Sequence, residues 1–289
     1  MAKLILSRKG FDTAAGGVPS PVLPDGRLIS LPIPDERSTL SYGDIRHAGQ
    51  ALGPLVDDLT RGRVTATTRV HLDPDLAADS LSRRPGWRPL FGQMGQAQSH
   101  LRNQGVGPGD LFLFFGLFRA ARRVEGRWRF VPGSRPRHLL WGWMQVAEAW
   151  SLGERAGIPE WARYHPHCRR PEARHNTLYI AAPGLTIEGA DTGLPGAGLF
   201  AYDAPCQRLT APDAERVSDW RLPSWCHPGE GRAPLSYHAD PGRWRRRADH
   251  TALRAVARGQ EFVLDGAQYP EALPWARALI AGRGAQGAG

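Results

Sequence analysis

The sequence predicts an α+β fold, a mixed β-sheet with helices at its periphery. Two apolar runs, Leu111–Phe118 and His138–Val146, carry apolar residues on successive positions, as strands buried on both faces must. Between Ser41 and Leu59, Ile45, Leu52, Leu55 and Val56 recur at near-helical spacing instead, and 91–103 and 269–280 read as further helices. Elsewhere Gly and Pro divide the chain into short strands, including 177–181 and 198–202.

With 289 residues, 41% of them hydrophobic, the chain can bury a substantial core as one large domain or two intertwined lobes. A formal charge of +9 and a pI near 10.2 point to an anionic partner, nucleic acid before others. A genome rich in Arg, Gly, Ala and Pro codons would give the same excess. Cys168, Cys206 and Cys226 are odd in number, far apart and lack CxxC spacing. They exclude a disulfide framework and a thiolate zinc site, and they fit a reducing cytoplasm. No run approaches membrane length, so a cytoplasmic protein without a membrane partner is expected.

The first strand is the apolar run Leu4–Leu6, which passes directly into Ser7, Arg8, Lys9, Gly10, Phe11 and Asp12. A polar cluster at a strand's end is a common place for chemistry. Of 37 basic residues only Lys3 and Lys9 are lysines. Arginine holds its charge, whereas a desolvated lysine can serve as base or amine nucleophile, which singles out Lys9. Ala15-Gly16-Gly17 follows without a helix signal and is no P-loop. Asp25-Gly26 reads as a hairpin turn feeding a strand over 28–33 that ends at Asp35 and Glu36.

In His71-Leu72-Asp73-Pro74-Asp75, alternating His and Asp can bind a divalent metal, and a helix-entry cap explains the same letters. Gln93, Gln96, His100 and Gln104 stand three and four residues apart and would share a helix face. Such a face suits base-edge hydrogen bonding or proton transfer, or is simply solvated. The strand over 111–118 runs into Arg119, Arg122, Arg123, Arg127, Arg129, Arg135 and Arg137, broken by Glu125-Gly126 and Pro132-Gly133 into projecting hairpins. His165, His167 and His175 could join a metal site only with carboxylates from elsewhere; packing beneath the strand at Tyr179 is the alternative. Arg243-Trp244-Arg245 interleaves an aromatic with arginines, a pattern for stacking bases and pairing phosphates or for a solvated helix start. Glu261 is a candidate general acid or base, and 283–289 reads as a disordered tail.

Residues 104–150, with Gly109-Asp110 leading a strand and Gly142 inside the returning one, resemble the small β-barrel of PUA-like and EVE-like domains. That resemblance implies recognition of RNA or of modified DNA bases. SRKGFD at 7–12, AGG at 15–17, LPIPDE at 31–36, HLDPDL at 71–76, GVGPGDLFLFFGLF at 105–118, WGWMQV at 141–146 and RGQEFVLD at 258–265 together resemble the third type of nucleotide modification associated domain. This wider resemblance implies one domain over 1–282, containing the barrel-like strands, and an association with modified bases in DNA.

The function expected is a DNA-binding enzyme acting on modified, damaged or abasic nucleotides, by base modification or by glycosylase or lyase chemistry through Lys9. Lys9 would be nucleophile or phosphate anchor, with Asp12, Asp35, Glu261 and His100 handling protons. Arg8, Gln93, Arg119, Arg122, Arg123, Arg243 and Trp244 would hold nucleic acid, DNA or alternatively RNA. This mechanism needs no cofactor. The alternatives are a non-catalytic reader of flipped bases and a nuclease using a divalent metal at Asp73, Asp75 and the histidines.

Overall fold

The computed structural model describes residues 1–47, 49–170, 172–229 and 231–282. The tail expected at 283–289 lies outside the described residues. Strands β1 (Leu4–Arg8) and β2 (Ser20–Val22) are followed by a small hairpin, β3 (Arg46–His47) and β4 (Gln50–Ala51), and by helix α1 (Leu52–Thr60). Strand β5 (Leu90–Gln93) leads into α2 (Gly95–Asn103), and then come β6 (Leu111–Val124), β7 (Arg127–Phe130) and β8 (Arg137–Ser151). Next are β9 (Thr177–Ala181), β10 (Gly184–Ile187), β11 (Ala190–Pro195) and β12 (Ala197–Leu199). The chain closes with β13 (Asp219–Leu222), β14 (Trp244–Arg246), β15 (Thr251–Arg254), β16 (Glu261–Leu264) and α3 (Ala272–Ile280).

The fold is α+β. Its main sheet runs in the order β16-β1-β6-β8-β9-β5, with β2 and β7 on the far half of β6 and β12 on β8. Strand β1 is parallel to β6 and antiparallel to β16. Both β6 and β8 are apolar on successive residues because both faces of the sheet are covered. One buried cluster runs from Leu4 through Phe112, Phe114 and Trp141 to Leu279. A second lies under α1, around Tyr42, Val56 and Trp128. The sheet path is open among the described residues, so the PUA-like barrel expected within 104–150 is not formed. Strand β6 finds its second neighbour in β1, from the start of the chain, and the sheet extends instead of closing.

Three segments differ from expectation for local reasons. Helix α1 starts at Leu52 rather than near Ser41, because Pro54 has no N–H to bond Gln50 and its ring would clash with that carbonyl. Residues 91–93 belong to β5, paired with β9, and the helix begins only at Gly95. The strand expected over 28–33 is reduced to isolated bridges such as Val22 to Leu28, since Pro32 and Pro34 remove two ladder donors.

This framework fixes the end of β1. The Lys9 amide donates to Phe115 O at 2.8 Å, carrying the parallel ladder one residue past the strand. A Cβ at position 116 would stand 2.7 Å from Lys9 O, so only glycine lets β6 pass beneath this turn. The Phe11 amide then bonds Leu31 O, and the chain turns away from the sheet.

Candidate functional site

A cavity of about 350 Å³ opens beside the end of β1. Arg8, Lys9 and Asp12 line it from the first loop, Asp35 from the second, His71 and Asp73 from a third segment, Gln93 from β5, and His167 and Arg170 from the turn before β9. A larger groove of about 970 Å³ lies elsewhere among Arg135, Arg137, Arg208 and Arg216, but its wall holds no buried acid–base cluster.

Asp73 is the floor of the cavity and is buried. Its Oδ1 accepts from the Gly92 amide at 2.8 Å and lies 3.2 Å from His165 Nε2. Its Oδ2 stands 3.5 Å from both His71 Nε2 and His167 Nε2. The imidazoles outweigh the cost of burial and hold the Asp73 carboxyl well below the usual carboxylate range.

Each imidazole is oriented by its other nitrogen. His71 Nδ1 lies 2.9 Å from Asp35 Oδ2, an acceptor, so Nδ1 carries a proton. His167 Nδ1 lies 2.6 Å from Asn176 Oδ1. The Asn176 amide is assigned by its Nδ2, which donates to the carbonyls of His167 and Arg170, so His167 Nδ1 is also the protonated nitrogen. His165 Nδ1 instead accepts from the His167 amide, which leaves its Nε2–H to donate to Asp73. Arg170 Nη2 reaches both Asp35 oxygens, at 2.8 and 2.9 Å. Burial lowers the pKa of His71, but Asp35 and Asp73 on either side outweigh it and push it up to about 9. The His71 bond in turn is the largest influence drawing Asp35 down to about 2. Burial keeps His165 below its ordinary value.

The second part of the wall is an ion pair. Lys9 Nζ lies 2.7 Å from Glu261 Oε1, which also accepts from Gln93 Nε2 at 2.6 Å. The ammonium stands 4.7 Å from the centre of the Phe91 ring. Strand β16 pairs Glu261 with Ser7 of β1, which explains why an acid from the end of the chain meets Lys9.

The structure therefore brings Arg8, Lys9, Asp12, Asp35 and Gln93 to one cavity, with Glu261 behind Lys9, and each side chain there already holds a partner. The Lys9 amine is engaged by a buried carboxylate, not free for attack. Asp12 Oδ1 accepts from the amides of Ala14 and Ala15 and shapes the loop. Arg8 donates to the carbonyls of Val256 and Ala257. Gln93 uses its Nε2 on Glu261 and its Oε1 on the Met94 amide, so both ends of its side-chain amide are engaged.

Other candidates do not line the cavity. His100 bonds Ser236 Oγ and stacks on Tyr237. Arg119 ties the β6–β7 hairpin through Ser134 and Val131. Arg122 and Arg123 are exposed on that hairpin. Arg243 donates to Arg254 O, and Trp244 is buried with its Nε1 on His238 O, which leaves no face for a base. Asp75 is clamped by Arg83 through both oxygens, so the metal pair Asp73 and Asp75 does not form. His175 is half-buried beside Arg102 and Arg174, away from the cavity. Sequence reasoning missed Arg170 and the joining of His71 with His167. The only trace was the pair of short motifs, His-Leu-Asp and His-Pro-His.

No curated protein and no solved structure matches the chain. The family model of nucleotide modification associated domain 3 matches residues 3–265, a span that includes every residue of the cavity. The chain belongs to the nucleotide modification associated domain 3 family.

Proposed function

We propose that the protein is an enzyme acting on modified, damaged or abasic nucleotides in DNA, and that it works by proton transfer and hydrolysis in this cavity rather than through an imine on Lys9. The observation that carries the reading is the convergence, on one cavity, of Arg8, Lys9 and Arg170 with the Asp73 cluster. Lys9, Arg8 and Arg170 keep N–H donors beyond the Glu261, Asp35 and carbonyl partners they already bond, and these can reach a phosphate, while imidazoles held by a buried carboxylate suit proton transfer. A volume of about 350 Å³ is enough for one extruded base. Against imine chemistry stands the Lys9–Glu261 pair, which would have to break before the amine could attack. A reader would hold its base between aromatic faces, whereas this cavity is lined mainly by charged and polar groups and the tryptophans Trp141, Trp143 and Trp220 are buried in the core.

The test is incubation with duplexes carrying an abasic site, uracil or a hydroxymethylated pyrimidine, followed by mass spectrometry of the DNA. At least one duplex should yield a product, borohydride should trap no covalent complex, and Asp73→Asn should slow the reaction about 100-fold or more. Tight binding without product on every duplex would make the protein a reader. Borohydride trapping that Lys9→Ala abolishes would restore the imine mechanism.

A further inference from the structure

We propose that His71 Nε2, His167 Nε2 and Asp73 Oδ2 bind one divalent first-row transition-metal ion, which faces the cavity and can take water or substrate in its open positions. The inference rests on the functional reading above only for what the ion would act on; the site itself stands on geometry.

The three atoms lie within 4.8 Å of one another. The two separations from Oδ2, both 3.5 Å, are too long for good hydrogen bonds. They match ligand atoms sharing an ion, since bonds of about 2.0–2.1 Å to a tetrahedral centre place ligands roughly 3.3–3.4 Å apart.

The neighbours are arranged to turn one nitrogen of each imidazole toward that point, and an ion binding there would displace the proton that Asp35 and Asp73 hold on His71. Asp35 and Asn176 accept the Nδ1–H groups of His71 and His167, so each imidazole presents Nε2 inward. Carboxylate or amide support behind a ligating histidine is the usual outer arrangement of metal sites. The Gly92 amide and His165 both occupy Oδ1 of Asp73, which leaves Oδ2 as the ligand. A Cβ at position 92 would come 2.3 Å from the His167 ring, so glycine there is what admits the third ligand.

Two imidazoles and one carboxylate favour zinc, iron(II), cobalt or nickel over magnesium and calcium, which prefer all-oxygen shells. Three protein ligands leave the fourth position open, as in catalytic rather than structural zinc sites. An ion there would lower the pKa of a bound water and supply a nucleophile at neutral pH.

The experiment titrates chelator-treated full-length protein with zinc by calorimetry and with cobalt(II) by visible absorption. Expected are one ion per chain, cobalt bands of a low-coordinate nitrogen and oxygen site, and a thermal midpoint that rises with added zinc. His71→Ala, checked for folding by circular dichroism without metal, should abolish the bands. Asp35→Asn should keep one site and weaken it about 10–100-fold. No binding at millimolar metal, or binding that His71→Ala leaves unchanged, would overturn the site. Product formation by metal-free protein would remove the ion from the reaction without touching the nucleotide reading. One bound ion with no product on any duplex would instead sink that reading and leave the site standing.

Discussion

Asp73 keeps its charge although buried, because a peptide N–H and His165 serve one oxygen while two further imidazoles face the other. An isolated carboxylate so placed would cost several kcal/mol and would protonate instead. Asp75, two residues on, solves the same problem differently, by a bidentate pair with Arg83. His-Leu-Asp-Pro-Asp alone does not tell these fates apart; the difference is set by which partner, Arg83 or His167, reaches each carboxylate. Gly92 tests this packing at a single atom. Gly92→Ala should destabilise the fold by about 1–3 kcal/mol in urea unfolding, because the added methyl collides with the His167 ring. It should also weaken zinc binding. An unchanged unfolding midpoint and an unchanged zinc affinity would mean that the ring and the strand are not in contact.

Strands β6 and β8 were legible because a strand covered on both faces needs apolar residues in succession, and few other segments show that pattern. Their length was not, since the outer half of β6 carries exposed arginines that read as loop. The partner of β1 was hidden for another reason: a parallel neighbour more than a hundred residues away leaves no local trace. Strand β8 also joins the small sheet of β13, β14 and β15 to the main one, through Trp220 Nε1 donating to His138 Nδ1 at 3.0 Å. That bond requires an unprotonated Nδ1, and burial pushes the His138 pKa down to about 3. The unfolded chain takes up this proton below about pH 6.5, whereas the folded chain does not. Stability from His138 is therefore complete above that pH and is lost as pH falls toward 3. Within this window the contribution should fall by about 1.4 kcal/mol per pH unit. His138→Asn keeps an acceptor and cannot titrate, so its unfolding free energy should depend less steeply on pH between 6 and 4, by about one proton. Equal slopes would show that the imidazole is not buried in its neutral form.

The whole cavity is an assembly of distant pieces: the loop after β1, Asp35, the His71–Asp73 segment, β5, the turn holding His167, and β16 through Glu261. Sequence reasoning found most of these pieces, since charged residues beside apolar strands stand out. It did not find how they combine, because pairing His71 with His167 or Lys9 with Glu261 depends on strand order, and strand order depends on packing. The same limit explains Trp244, whose arginine-flanked setting suggested exposure while its side chain fills the core. No helix among the described residues is long and apolar enough to cross a membrane. The most direct measurement is anomalous diffraction at the zinc edge from crystals of the protein grown with zinc. One peak should appear about 2.0–2.2 Å from His71 Nε2, His167 Nε2 and Asp73 Oδ2. A fully occupied ion elsewhere, with that position lacking anomalous density, would contradict the account.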